Sequence, residues 1–164
     1  MKTLYILRHA KSSWKDETLP DFERPLNRRG QRAAETLGHY FRENEIVPDL
    51  ILASPAFRAR ETIEIIIKTA KWRTELRYDE RIYEASAMRL FEVVSQIEND
   101  HKTVLLVGHN PGLEELLQLL TGNIEQMPTG GLAKVALKAA KWGNALQKKA
   151  SLESFVKPRE LERV

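Results

Sequence analysis

Two histidines each follow a short apolar run, and one of them has an arginine before it. The run 3–7 leads into Arg8 and His9, and the run 103–107 leads into a glycine and His109. Runs this short and apolar are typical of buried strands in a parallel sheet. Because the carboxyl ends of such strands open into one crevice, we expect both histidines and Arg8 to be neighbours in space.

A third junction between an apolar run and a helix adds a second arginine. The run 50–53 precedes Ser54 and Pro55, which are typical of a helix N-cap and a first helical turn. Arg58 then falls in the first turns of that helix. Two arginines and two histidines at one edge would bind phosphate, because the planar guanidinium pairs with phosphate oxygens.

This set of residue types predicts phosphoryl chemistry. A neutral histidine can attack phosphorus, and nearby arginines favour the neutral ring because they disfavour a third positive charge. The arginines would also stabilise the oxygens in the transition state. Glu84, after a short strand at the same edge, is the best candidate for a proton donor, although a glutamate there is also common simply as a helix-start residue.

The composition excludes several other classes of site. The chain has 164 residues and no cysteine, which predicts one domain over 1–164 without disulfides, thiolate catalysis or zinc–thiolate sites. The arginine pair would repel a divalent metal, and no carboxylate adjoins either histidine as a co-ligand. We therefore expect neither a metal nor another cofactor.

Charge and hydropathy limit the partners. No apolar run approaches the length of a membrane span and the chain begins on a strand, so we expect a cytoplasmic protein without a membrane partner. The net charge is +3, and five lysines cluster near the C-terminus: Lys134, Lys138, Lys141, Lys148 and Lys149. No aromatic ladder or groove-reading motif accompanies them, which favours a solvated face over a nucleic-acid surface.

Strands and helices alternate along the chain, which predicts a three-layer α/β/α sandwich with a mostly parallel sheet. Apolar spacing predicts further elements: helices over 30–41, 54–70, 87–97 and 113–120, and strands at 75–78, 132–138 and 150–156. The strand 132–138 alternates apolar and polar residues, as a half-buried edge strand does. The loop 10–28 is the one candidate for a partial lid.

Short motifs occur in a fixed order along nearly the whole chain. They are Arg8-His9, Ser54-x-x-x-Arg58-Ala59-x-x-Thr62, Arg81-Ile82-x-Glu84 and Gly108-His109. This ordered set resembles the histidine phosphatase superfamily, which has the phosphoglycerate mutase-like fold. The finer pattern is similar to its small SixA-like branch, the phosphohistidine phosphatases. That likeness is carried by His9-Ala10-Lys11-Ser12-Ser13-Trp14, Pro25-Leu26-x-x-Arg29-Gly30, Gly108-His109-Asn110-Pro111-Gly112 and Pro128-Thr129-Gly130-Gly131.

The resemblance implies a role for each motif residue. His9 would be the nucleophile that becomes phosphohistidine, and the rest of the phosphate pocket would be Arg8, Arg58 and His109. Glu84 takes the position of the proton donor, but the glycine that usually follows it in the family is replaced by Ala-Ser-Ala at 85–87. Beside the nucleophile, Ala-Lys replaces the usual Gly-Glu, so Lys11 and Ser12 are candidates for binding substrate or are merely solvated.

The resemblance also implies a substrate class. We expect a metal-independent phosphatase that acts on phosphohistidine of a signalling protein, such as a phosphotransfer domain. The chain has no segment long enough for a full cap over the pocket, which fits a protein substrate. Two alternatives stay open: a phosphatase of small phosphate esters or phosphopeptides, and a non-catalytic module that binds phosphate or another anion. The sequence leaves the oligomeric state open, and a monomer is compatible with it.

Overall fold

The computed structural model describes residues 1–162. In this part of the chain six strands form one sheet: β1 (Lys2–Arg8), β2 (Leu50–Ala53), β3 (Glu75–Tyr78), β4 (Thr103–Gly108), β5 (Leu132–Leu137) and β6 (Ser151–Val156). The α-helices are α1 (Arg28–Glu43), α2 (Phe57–Ala70), α3 (Ala87–Ser95), α4 (Gly112–Thr121) and α5 (Pro158–Leu161). None of the helices described here is long and apolar enough to cross a membrane.

The strands lie in the order β3-β2-β4-β1-β5-β6. The first four are parallel to one another, whereas β5 runs antiparallel to both β1 and β6. Helices α1 and α2 pack on one face of the sheet, and α3 and α4 pack on the other. The three-layer α/β/α prediction with a mostly parallel sheet is therefore confirmed.

The middle residues of the central strands are apolar, because helices cover both faces of the sheet there. On β1, Leu4 and Ile6 point into the core beneath α3 and α4, whereas Tyr5 and Leu7 point into the core beneath α1 and α2. Successive strand residues face opposite sides of a sheet, so every residue of a strand that is covered on both sides faces an apolar core. This is why the sequence shows continuous apolar runs at these strands.

One strand prediction is wrong in its position. β5 lies inside the sheet, between β1 and β6, and β6 forms that edge. Its polar residue, Lys134, is half-buried and its amine lies 3.5 Å from a carboxylate oxygen of Glu153 on β6. The alternation that predicted an edge strand therefore reflects a lysine paired across two strands rather than a solvent-facing side.

The start of α2 also differs from the prediction. The helix begins at Phe57 with Ala56 as its N-cap, and Ser54 makes no cap for it. Ser54 is completely buried, and its hydroxyl contacts the ring of His109 instead. The Ser-Pro pair, which is typical of a helix start, lies here just before the helix, and the serine side chain contacts His109 rather than the helix.

Residues 10–28, called the strap below, form a loop at the carboxyl-end edge of the sheet, and its two ends pair with each other. Its two limbs are joined by an isolated bridge between Ser12 and Leu26 and by a hydrogen bond from the amide of Asn27 to the carbonyl of Lys11, at 3.0 Å. The amide of Leu26 also donates to the carboxylate of Glu61 on α2, at 2.8 Å. The strap is thus anchored to the fold at its base, and its action as a lid stays a prediction.

Candidate active site

The carboxyl ends of β1 and β4 place the two predicted histidines side by side. Arg8 pairs with Gly108 in the parallel register, so the residues that follow, His9 and His109, leave the sheet together. The amide of His9 donates to the carbonyl of Gly108 at 3.1 Å, and the two ring centroids are 5.0 Å apart. Both histidines are buried.

The ring of His9 is held in one tautomer. Its Nδ1 lies 2.7 Å from the carbonyl oxygen of Ala10. A carbonyl oxygen can only accept, so Nδ1 carries the proton and Nε2 keeps its lone pair. Burial lowers the pKa of His9 to about 4, and the charges of Arg58 and Arg8 push it in the same direction. At neutral pH this side chain is therefore a neutral imidazole with a free Nε2.

Thr62 fixes the backbone that orients His9. The amide of Ala10 donates to Oγ1 of Thr62 at 3.0 Å, and the Thr62 hydroxyl donates to the carbonyl of Arg58 at 2.7 Å. Thr62 is completely buried. The segment that carries the His9 ring is thereby tied to the first turns of α2, which also carry Arg58.

His109 is oriented by Ser54. The His109 Nε2 lies 2.7 Å from the Ser54 hydroxyl oxygen, which also accepts from the amide of Ala56 at 3.2 Å. The buried hydroxyl proton of Ser54 has no other acceptor among residues 1–162, so we assign it to Nε2, which leaves the ring proton on Nδ1. Burial, together with the charges of His9 and Arg58, lowers the pKa of His109 to about 3. His109 is thus a neutral group that can donate a hydrogen bond from Nδ1.

Three buried nitrogen atoms at this edge have no hydrogen-bond partner within residues 1–162. They are Nε of Arg8, Nε of Arg58 and Nδ1 of His109. Buried donors are nearly always paired in native proteins, so unpaired ones indicate a missing acceptor. A phosphoryl group carries several acceptor oxygens and a negative charge, and it would satisfy all three donors.

The two predicted arginines are anchored by different parts of the fold. Arg8 donates through Nη1 to the carbonyl of Met127 at 3.0 Å. Arg58 donates through Nη1 to the carbonyl of Asp21 at 2.7 Å, and its Nη2 lies 3.0 Å from the Asp21 carboxylate. Each guanidinium is therefore fixed at its far end, while its Nε stays free for a ligand.

Sequence reasoning missed Asp21 and Arg24, which lie in the strap. Arg24 is buried, bonds the Asp21 carboxylate at 3.1 Å and the Ser12 hydroxyl at 2.9 Å, and its charge helps to lower the pKa of His9. Burial opposes ionisation of Asp21, but the hydrogen bond from Tyr83 and the charge of Arg58 outweigh it and lower the pKa to about 2. The only sequence signal was the Arg-Pro step at 24–25.

Tyr83 covers one side of the pocket and was also missed as a site residue. Its ring meets the ring of His109 edge-on at 5.5 Å and that of Phe22 at 5.1 Å. Its hydroxyl donates to Asp21 at 2.6 Å. Burial, the hydrogen bond to Asp21 and the charges of Asp21 and Glu84 together raise the pKa of Tyr83 to about 12, so the hydroxyl keeps its proton.

The remaining predicted residues lie at the rim. Glu84 is exposed, has a positive φ of 51°, and lies near the hydroxyl of Tyr83. Lys11 is exposed, whereas the Ser12 hydroxyl is engaged by Arg24. Among residues 1–162 no three histidine, aspartate, glutamate or cysteine side chains are grouped as a metal site would require.

The chain has relatives across bacteria and plants. Residues 4–90 match the model of the histidine phosphatase superfamily, branch 1. An uncharacterised protein of Mycobacterium tuberculosis is 33% identical over 164 residues, which span 93% of this chain and 100% of that protein. An uncharacterised chloroplastic protein of Arabidopsis thaliana is 30% identical over 153 residues, 88% of this chain and 70% of that one.

Solved structures share the fold. The candidate phosphohistidine phosphatase SixA of Agrobacterium tumefaciens is 28% identical with a TM-score of 0.83, over 96% of this chain and 98% of that one. A protein histidine phosphatase SixA solved with tungstate has a TM-score of 0.85 at 17% identity, over 98% and 99% of the two chains. The phosphoglycerate mutase-like fold is thereby confirmed, and the chain belongs to the histidine phosphatase superfamily, in its SixA-like branch.

Proposed function

We propose that this protein is a phosphatase in which Nε2 of His9 takes the phosphoryl group and water then removes it, without a metal ion. The observation that carries the proposal is the hydrogen bond between Nδ1 of His9 and the carbonyl of Ala10, at 2.7 Å. It leaves Nε2 unprotonated beside three unpaired donors. A nucleophile with a fixed lone pair next to anion-binding groups is the arrangement that phosphoryl transfer needs.

In the first step, Nε2 of His9 forms a bond to phosphorus while the bond from phosphorus to the leaving group breaks. The electrons of that bond go to the leaving group, which takes up a proton. Arg8, Arg58 and His109 would donate to the phosphoryl oxygens, whose charge redistributes in the transition state. Glu84 at the rim is the proposed proton donor for a poor leaving group.

In the second step, water attacks phosphorus and the bond to Nε2 breaks, with its electrons returning to the ring. The water proton leaves with the phosphate product, and His9 is again neutral. A low pKa suits the first step, because Nε2 of a protonated ring has no lone pair with which to attack phosphorus.

We propose phosphohistidine on a protein as the substrate. Two large aromatic side chains of the strap are exposed next to the pocket: Trp14 is 72% exposed and Phe22 is 39% exposed. Trp14 lies over the guanidinium of Arg24 at 3.4 Å, and Phe22 packs on Tyr83. Exposed aromatics beside arginine are typical of protein-docking surfaces. A phosphorylated imidazole can also reach the site already protonated. Such a leaving group depends less on a proton donor, which is compatible with the position of Glu84 at the rim.

The test compares kcat/KM on a phosphohistidine-bearing phosphotransfer domain, on free phosphohistidine and on p-nitrophenyl phosphate, each with and without EDTA. We expect the protein substrate to be preferred and EDTA to have no effect. Trp14→Ala should reduce kcat/KM on the protein substrate alone, with the exposed Val47→Ala as the control. Equal or higher kcat/KM on p-nitrophenyl phosphate would favour a small-ester phosphatase, and loss of activity with EDTA would contradict the metal-free mechanism.

A further inference from the structure

A second concavity lies beside the catalytic pocket and takes no part in the mechanism above. Its volume is about 450 Å³. The positive residues that line it are Lys11, Arg29, Arg32, Lys157 and Arg159, and we call it the cationic groove. It contains none of the four residues His9, Arg8, Arg58 and His109, so it is a separate site.

The charges of the cationic groove are not compensated. None of its five basic side chains has a carboxylate within 4.0 Å among residues 1–162, whereas Arg24, Arg58, Arg77 and Arg81 each do. The single acidic residue in its lining is Glu162. Five positive charges around one concavity repel each other and attract an anion, and the effect is strongest where the walls exclude water.

The backbone segments that carry the cationic groove lie in close contact. Gly30 at the start of α1 lies directly against the backbone of Lys11, and Gly130, with a φ of 76°, lies against the ring of Pro158. A Cβ on Gly130 would come within 2.6 Å of that ring, so only glycine fits at this contact. The backbone of the loop at 128–131, the start of α1 and the segment that leads into α5 is therefore held together at the groove by close contacts.

The cationic groove and the catalytic pocket share backbone. The amide of Gly130 donates to the carbonyls of Arg8 and His9, both at 3.0 Å, and the adjoining Thr129 lines the groove. On the other side, Lys11 lies two residues beyond His9. A ligand in the groove would therefore lie next to the phosphoryl group at His9.

We propose that the cationic groove binds the oligophosphate group of a small anion of about nucleotide size. Three of its five cations are arginines, whose forked donors pair with phosphate oxygens better than ammonium groups do. Its volume falls within the roughly 300–1,000 Å³ typical of small-molecule sites. The oligophosphate belongs either to the far end of a substrate or to a separate ligand that modulates turnover; both present the same chemistry to the groove.

The test titrates the protein with inorganic tripolyphosphate by calorimetry, after vanadate has saturated the catalytic pocket. We expect one site whose affinity falls as salt rises. The double variant Arg32→Glu/Lys157→Glu should weaken binding about tenfold or more, equivalent to about 1.4 kcal/mol. The control, Lys138→Glu/Lys148→Glu, makes the same change in charge at the opposite edge of the sheet and should leave the affinity within about twofold. A milder variant, Arg32→Gln/Lys157→Gln, removes the same two charges without adding negative ones, so it is less disruptive to folding. It should also weaken the binding of tripolyphosphate.

Two activity assays, on tripolyphosphate and on p-nitrophenyl phosphate, show whether the oligophosphate belongs to a substrate or to a separate ligand. Release of phosphate from tripolyphosphate by the wild type, lost in the groove variant, would identify the far end of a substrate. A change in p-nitrophenyl phosphate turnover without hydrolysis of tripolyphosphate would identify a separate ligand. Loss of binding in the presence of vanadate, equal binding by the groove and control variants, or equally tight binding of polyglutamate would overturn the proposal. Because calorimetry needs no turnover, its outcome is independent of the proposed phosphatase reaction.

Discussion

The carboxylate of Asp21 reaches from the strap to the guanidinium of Arg58, with 3.0 Å between Oδ2 and Nη2. The backbone carbonyl of the same aspartate accepts from Nη1 at 2.7 Å. This one residue of the strap thus fixes both terminal nitrogens of Arg58 and leaves its Nε without a partner among residues 1–162. The ionised carboxylate also offsets part of the positive charge that Arg8, Arg24 and Arg58 bring together.

Asp21→Asn should lower kcat/KM about tenfold, because the amide holds Arg58 less firmly and one negative charge is lost. Steady-state kinetics on the same substrate measure the effect. The exposed Asp16→Asn, in the same strap, is the matched control and should change little. Unchanged kinetics in Asp21→Asn would mean that Arg58 is positioned by the rest of α2 alone.

A phosphoenzyme should be trapped by rapid quench with a labelled phosphodonor. We expect label that survives base and is lost in acid, as a phosphoramidate is, and none in His9→Ala. His39→Ala, on the exposed surface of α1, is the control and should label normally. Full activity in His9→Ala would rule out the covalent mechanism.

Ser54→Ala should lower kcat about tenfold with little change in overall fold, because the neutral His109 ring is then free to place its proton on either nitrogen. Nitrogen NMR of the imidazoles reads the tautomer directly. We expect mainly the Nδ1–H form of His109 in the wild type and a mixture in the variant. The half-buried Ser13→Ala, in the strap, serves for comparison. The same tautomer in wild type and variant would remove Ser54 from this role.

Glu84→Gln should slow ester hydrolysis about tenfold but phosphohistidine hydrolysis much less, because the imidazole leaving group can arrive already protonated. The ratio of kcat/KM on the two substrates gives the answer. Glu80→Gln, an exposed neighbour, controls for loss of charge. Equal losses on both substrates would contradict a proton-donor role that depends on the leaving group.

Folding stability should depend on pH through the two site histidines. Their pKa values are lowered to about 4 and about 3 by burial, whereas an unfolded chain titrates near 6.5. The unfolded state therefore binds more protons below pH 6.5, so the stabilisation is complete above that pH and is lost as the pH falls to about 4 for His9 and about 3 for His109. Each ring contributes a slope of up to about 1.4 kcal/mol per pH unit in that window.

Thermal melts between pH 4 and 8 measure this dependence. His9→Gln should lower the slope, because one buried group no longer titrates, whereas His39→Gln at the surface should leave it as it is. An unchanged slope in both His9→Gln and His109→Gln would place the source of the pH dependence elsewhere.

The sequence was informative where chemistry follows a buried strand. Arg8, His9 and His109 lie immediately after continuous apolar runs, and parallel pairing alone brings such residues together. Asp21 and Arg24 were not predictable in this way, because the strap has no periodicity and their partners lie elsewhere in the chain. Ser54 shows the converse difficulty: a local pattern typical of a helix cap was overridden by a contact with His109.

The local pattern also predicts the wrong position for β5 in the sheet, and the reason is related. A lysine within a strand is ordinarily a sign of solvent, but Lys134 meets Glu153 from the neighbouring strand. The order of the strands in the sheet decides which strand supplies this partner. A short stretch of sequence around Lys134 does not contain that information. The parallel strands were easier to place because both of their faces are apolar.

The contact between Trp14 and Arg24 gives the molecule a built-in optical reporter. Trp72 and Trp142 are buried in the core, which leaves Trp14 as the chain's one solvent-facing indole. The guanidinium of Arg24 lies 3.4 Å from its ring, and the charge of the same guanidinium helps to lower the pKa of His9. We therefore expect a ligand in the phosphate pocket to change the fluorescence of Trp14 if it displaces Arg24, and this measurement needs no added label.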